Sequence, residues 1–279
     1  MIRAVLGLLL GLALGLWLGG PAGAQPAAEW ARHAGPTAGP TRVIGGTALG
    51  CLAGAVALPP EGAGFEAVRI SRNRHWGTPE LVRFTQTLAA EAQRARFPPL
   101  WIGDLAQPRG GPMPWGHASH QTGLDVDIWL DLRPRGATGR EARENIDVPS
   151  LVLPDQSAVD PARFTPRHGE LIRLAATQPG VDRVLVNHGI KRSLCRIYPG
   201  AEWLRRVRPW RGHDSHMHIR IRCPAGQAEC RDIPPPPPGD GCDASLDWWL
   251  TEEARRPAPR PPGPPPVMPA ACAAVFSAR

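Results

Sequence analysis

The sequence has 279 residues, a net charge of +7, 34 prolines and 31 glycines. A chain of this size accommodates one domain with a sizeable core. Its basic residues are nearly all arginine, scattered and without any nucleic-acid motif, which excludes a nucleic-acid binder and leaves attraction to an anionic polymer such as the cell wall.

Residues 1–24 read as a secretory signal. Arg3 gives a basic start, Ala4 to Gly20 is apolar, and Ala22-Gly23-Ala24 fits the small-x-small cleavage rule. No later stretch reaches the roughly 18 apolar residues of a membrane span, so no membrane anchor is expected after cleavage. All six cysteines follow the signal. In an oxidising compartment they make three disulfides with about 15 possible pairings. Cys223 and Cys230 lack metal-binding C-x-x-C spacing and suit a local loop closure.

Residues 25–50 are small, rich in Gly and Pro, and read as a loose lead-in to a domain spanning 51–272. Ala67 to Ser71 suggests a strand. Thr78-Pro79 starts a helix that runs through Leu81, Phe84, Leu88 and Ala92, and Phe97-Pro98-Pro99 ends it. His75 and Trp76, just before it, read as a packing pair. Leu100 to Leu105 is a short strand. Residues 130–149 are polar and form an exposed loop, with Glu141 and Glu144 solvated. Thr165-Pro166 starts a second helix, and Val181 to Asn187 is a central strand. Ala201 to Val207 is a short helix. From Pro234 to Cys272 the chain is a Pro-rich surface wrap, polyproline II in its proline runs, with a short helix at Leu246–Leu250. Residues 273–279 are a tail.

Five of the nine histidines fall in two windows, residues 116–129 and 212–220. In the second, His216 to Arg222 alternates with the period of a half-buried strand. Met217, Ile219 and Ile221 face one side, and His216, His218 and Arg220 the other. In the first, Leu124, Val126 and Ile128 alternate with Asp125, Asp127 and Trp129. A mid-strand Asp is unfavourable by propensity, so Asp127 needs compensation. His120 precedes it across a Gln-Thr-Gly turn. His120, Asp127 and His218 supply two neutral nitrogens and one carboxylate, a set that suits zinc. Three protein ligands leave a fourth position open, the catalytic pattern. No Glu lies near either window, so His213 and His216 are the candidates for a proton acceptor or an oxyanion stabiliser. His117 either orients a ligand or binds a second or adventitious metal.

These windows carry a resemblance. His120 to Asp127 with a distant His216-x-His218 resembles the LAS group of zinc metallopeptidases. Within it, the strings GHASHQTGLDVDI, VRPWRGHDSHMHIRIRCP and GDGC resemble the penicillin-insensitive murein endopeptidase family, over roughly Cys51 to Cys272. The resemblance implies an α+β fold, LAS/hedgehog-like and disulfide-stapled, with a central antiparallel sheet carrying the zinc site and helices at its flanks. It implies the pairs Cys51–Cys272 and Cys195–Cys242. It also implies a periplasmic enzyme that cuts the D-alanyl–meso-diaminopimelyl cross-bridge of peptidoglycan with a metal-activated water. Some relatives carry an Asp and a nearby His around 155–158, but here Asp155 is followed by Gln-Ser-Ala. The competing reading is a hedgehog-like module that holds zinc without turnover.

Overall fold

The computed structural model describes residues 26–256 and 267–279. The signal, 1–24, and most of the second proline run lie outside the described residues. Seven strands form the central sheet, in the order Val207–Pro209, Val181–Val186, His216–Ile221, Asp125–Trp129, Leu100–Ile102, Phe65–Ala67 and Glu61–Gly62. The middle four are antiparallel. Val207–Pro209 and Phe65–Ala67 each join their inner neighbours in parallel. The sheet is therefore mixed, which corrects the expectation of an antiparallel one.

Parallel neighbours need a crossover of about a dozen residues or more. Helix Pro79–Arg94 makes the crossover from Phe65–Ala67 to Leu100–Ile102, and helix His188–Ile197 the one from Val181–Val186 to Val207–Pro209. The first was legible. The Thr78 hydroxyl accepts from the Leu81 amide at 3.1 Å, Pro79 occupies the first helical position, and Leu81, Leu88 and Ala92 are buried. The second was not foreseen, because Gly189, Lys191 and Ser193 interrupt its apolar pattern. Asn187 caps it by accepting from the Gly189 amide at 2.8 Å. Lys191 is buried, its ammonium donating to the carbonyls of Leu204 and Asp240.

The alternation read from the two windows sets the register at the heart of the sheet. His216, Met217, His218, Ile219 and Arg220 pair with Trp129, Ile128, Asp127, Val126 and Asp125. Met217, Ile219, Val126 and Ile128 are fully buried in the main core. Each such side chain contributes about 1.5–3 kcal/mol by leaving water. A slip of one residue would turn the histidines into that core, so the apolar face fixes where the polar face points.

The first and the last of the described residues both pack into the fold. The supposed lead-in carries a helix at Ala27–Trp30 and a hairpin of Arg42–Gly46 with Leu49–Ala53. Its glycines hid the strand pattern while serving a close approach: a Cβ on Gly50 would lie 2.3 Å from the Ile44 carbonyl oxygen and 2.6 Å from Thr122 Cγ2. The supposed tail contributes most of a helix, Ala271–Ser277. Cys272 of this helix is bonded to Cys51 of the hairpin, and Phe276 packs against Trp30 with ring centroids 5.1 Å apart. Arg109 donates to the carbonyls of Val275, Phe276 and Ala278, satisfying a helix end that would otherwise lack partners. The other disulfides join Cys195 to Cys242 and Cys223 to Cys230.

The Cys51–Cys272 bond spans 221 residues of sequence. The double variant Cys51→Ser/Cys272→Ser is expected to lose about 2–5 kcal/mol of unfolding free energy. Denaturant titration measures this; an unchanged midpoint would mean that packing around Trp30 alone holds the terminal helix.

Candidate metal centre

Asp127 and His218 face each other across adjacent central strands. His120 reaches them from the loop before Asp125–Trp129, where its backbone adopts φ +64°, rare for a residue with a side chain. That loop is held by the N-terminal hairpin. The Gln121 side chain accepts from the Gly50 amide and donates to the Ala48 carbonyl, and the Gln121 amide donates to Thr47. The N-terminal hairpin thus sets the position of a site residue.

Three atoms converge. His120 Nε2 lies 3.0 Å from His218 Nδ1, and Asp127 Oδ1 lies 3.4 Å from the first and 3.3 Å from the second. All three residues are buried. The protons are fixed from behind. His120 Nδ1 is 2.6 Å from the Leu105 carbonyl oxygen, which can only accept, so that nitrogen carries the hydrogen. His218 Nε2 is 3.0 Å from Asp125 Oδ1 and donates to it. Neutral rings so oriented turn two lone pairs toward each other and toward Asp127 Oδ1, a buried oxygen without a hydrogen-bond partner. Three convergent acceptors in a buried place suit a cation, so these residues could hold a metal ion.

The charges around the site point the same way. Burial alone would depress His218, yet the Asp125 and Asp127 carboxylates raise its pKa above the ordinary histidine value. Burial opposes ionisation of Asp127 too, but His120 and His216 hold it well below the usual carboxylate range. Asp125 is likewise lowered against its burial, by Arg220 and His218. Asp125 accepts from Arg220 Nε at 2.7 Å and from the His120 amide at 3.0 Å. One carboxylate therefore aligns both histidines.

His117 sits beside this triangle. Its donor atom, with those of His120 and Asp127, falls within a 4.8 Å group that could hold a metal ion. The group formed with His218 is tighter, and His117 Nε2 already lies 3.0 Å from Asp104 Oδ2, against 3.6 Å to Asp127 Oδ2. Asp104 was missed in the sequence. It is buried, also accepts from Arg74 at 2.9 Å, and its only sequence signal was a charge closing the apolar run Leu100–Ile102.

His216 lies on the ligand face, with Nε2 3.8 Å from Asp127 Oδ2 and Nδ1 buried without a partner. His213 precedes the strand at φ +52°, its ring 4.8 Å from that of His216. Its Nδ1 donates to the Arg211 carbonyl at 2.8 Å, which leaves Nε2 as an acceptor. Burial, then His216 and His218, push its pKa down to about 3. His188 turns elsewhere, with Nε2 2.9 Å from the Gln156 carbonyl. Its neighbour Asn187 matters more: its amide donates to His213 and its side chain to Gly212, pinning the loop that presents His213. A cleft of about 460 Å³, lined by residues 116–119, Leu185, Trp210, His213 and His218, reaches the group.

Two imidazoles and a carboxylate converging beside a cleft, with two further histidines next to them, make a possible metal site of a hydrolase. Residues 43–277 match the family model of penicillin-insensitive murein endopeptidase. A penicillin-insensitive murein endopeptidase of Yersinia enterocolitica serotype O:8 / biotype 1B is 43% identical over 238 residues, covering 84% of this chain and 85% of the relative. Its counterparts in Klebsiella pneumoniae (strain 342) and Salmonella paratyphi C are each 43% identical over 237 residues, with the same coverage. The chain belongs to the penicillin-insensitive murein endopeptidase family.

Proposed function

We propose that this chain is a periplasmic zinc endopeptidase that hydrolyses the D-alanyl–meso-diaminopimelyl cross-bridge of peptidoglycan, with His120, Asp127 and His218 as the metal ligands. Family membership makes it a murein endopeptidase, a peptidase that cleaves peptidoglycan. The observation that carries the metal assignment is the triangle of acceptor atoms with sides of 3.0, 3.3 and 3.4 Å, one of them the orphaned Asp127 oxygen. Tetrahedral zinc, with bonds of about 2.0–2.1 Å, sets its ligand atoms roughly 3.3 Å apart.

Bound there, zinc would polarise the scissile carbonyl and lower the pKa of water to about 7. The remaining work falls to the chain's own groups. His213, with Nδ1–H tied to a carbonyl, offers Nε2 as a proton acceptor. His216, with no partner at Nδ1, can accept a proton or donate to a developing oxyanion. Asp125 and Leu105 fix the tautomers of the two histidine ligands, and Asp104 holds His117 alongside the ligands without adding it to the set. A hedgehog-like module without turnover would need neither the cleft nor two buried histidines beside the ligands. Three disulfides fit an oxidising compartment, and among the described residues no helix is long and apolar enough to cross a membrane.

Chelation tests the proposal. Cross-linked murein incubated with the metal-free protein should release no new monomeric muropeptides by chromatography, and added zinc should restore the release. Far-UV circular dichroism should stay unchanged, because disulfides and sheet hold the fold. Full hydrolysis by metal-free protein refutes the zinc reading. Asp125→Asn gives a finer check: by loosening both histidine ligands, it is expected to weaken zinc affinity about 10–100-fold in competition with a chromophoric chelator. Wild-type affinity would mean that packing alone orients His120 and His218.

A further inference from the structure

Three tryptophans form a chain of ring contacts that starts at the cleft. Trp210 follows the strand Val207–Pro209, lines the cavity shared with His213 and His218, and is 51% exposed. The Trp249 ring lies beside it, centroids 5.8 Å apart at 45°. Trp248 meets Trp249 edge-on at 5.1 Å and is itself 43% exposed. The segment that carries the last two is fastened at both ends. Upstream, Cys242 is bonded to Cys195. Downstream, the Arg211 guanidinium donates to the carbonyls of Glu253 and Ala254. Between them, buried Leu246 seats the helix Ser245–Trp248.

A segment pinned in this way could have buried its indoles, each of which offers about 150–250 Å² of surface. Instead Trp248 stays exposed and Trp249 half-buried, next to the Trp210 ring that lines the cleft. Contiguous exposed aromatic surface beside a cleft marks a binding site. The nearest cation in sequence, Arg211, is engaged on backbone carbonyls, so this aromatic surface suits an uncharged ligand with flat faces.

We propose that Trp210, Trp249 and Trp248 form a platform for the sugar rings of the glycan strand to which the scissile peptide is attached. The proposal rests on the peptidoglycan reading above. In murein the cross-linked peptides hang from a polysaccharide, so a cleft that admits the cross-bridge has sugar rings close by. A pyranose presents a face of C–H bonds, which packs against the electron-rich face of an indole.

The test uses uncharged GlcNAc oligosaccharides as the probe and the mature protein as the target. Added to wild-type protein, they should shift the indole N–H resonances of Trp210, Trp248 and Trp249, assigned through single Trp→Phe variants. The resonance of Trp30, only 2% exposed, should stay in place. Trp248→Ala should raise the oligosaccharide Kd about tenfold, the equivalent of losing one stacking partner. The ratio of kcat/KM on a glycan-bearing dimer to that on a sugar-free peptide dimer should fall by the same factor. Absence of indole shifts in the wild type overturns the platform whatever the hydrolysis assays show, and so does an equal loss on both dimers. If the wild type binds the oligosaccharide yet cleaves neither dimer, the platform stands and the endopeptidase reading falls. Should Trp248→Ala fail to fold, the wild-type shifts decide alone.

Discussion

His218→Ala, His120→Ala and Asp127→Ala are each expected to lose bound zinc and to lower kcat/KM on cross-linked murein by on the order of 10³-fold or more. Each removes one corner of a triangle whose sides are 3.0 to 3.4 Å, and two protein atoms do not hold the ion at useful occupancy. The variants should differ in what they leave behind. Removing His218 leaves Asp125 buried with Arg220 as its side-chain partner, so the carboxylate stays paired and the strand survives. Removing Asp127 takes away the charge that holds His120 and His218 together, so zinc is lost and the two lone pairs remain opposed. His117→Ala is the contrast. Its nitrogen is committed to Asp104, and the variant should keep stoichiometric zinc. Metal analysis of the purified variants checks all four, and full occupancy in any of the first three would remove that residue from the ligand set.

The central strands were legible because their chemistry is written at period two. Met217, Ile219 and Ile221 could only face a core, so His216, His218 and Arg220 had to face away from it. The same logic brought out Asp127 as a carboxylate in need of a partner. What escaped the sequence was whatever depends on contacts between distant segments. The hairpin of residues 42–53 is built on glycines, which carry no periodic signal, and its value lies in the Gln121 loop that it supports. Asp104 falls inside the strand expected over Leu100 to Leu105, while the observed strand ends at Ile102. Only the fold places its carboxylate against His117 and Arg74. Helix His188–Ile197 buries a lysine, so its inward face does not look apolar. The parallel pairing of Val207–Pro209 with Val181–Val186 follows from that helix and could not be read without it.

His216→Ala is expected to keep its zinc and to lose about 10²–10⁴-fold in turnover on dimeric muropeptide, the usual cost of removing a proton acceptor or an oxyanion donor. His213→Ala should fall comparably if its free Nε2 takes the proton, and change little if the residue only shapes the turn. The sequence suggests an acid limb in the pH–rate profile at a histidine-like pKa of about 6–7. The surroundings move that expectation. Burial, followed by the neighbouring histidines, takes His213 to about 3, and burial also lowers His216. Both rings are therefore neutral, and able to accept, throughout the neutral range. A limb set by either histidine should accordingly lie below the ordinary histidine value, apart from the limb at about 7 that zinc itself would set, and should change in whichever variant removes the acceptor. Stability carries the same sign. In the unfolded chain His213 binds a proton once the pH drops below about 6.5, while the folded protein resists it until about 3, so this group costs the fold stability as pH falls across that window. His213→Ala should flatten the decline by about one proton in denaturant titrations repeated from pH 7 downward. Near-wild-type turnover in both variants with zinc intact would leave hydrolysis without a protein base, and a decline as steep in His213→Ala as in the wild type would mean that its ring is protonated in the folded protein.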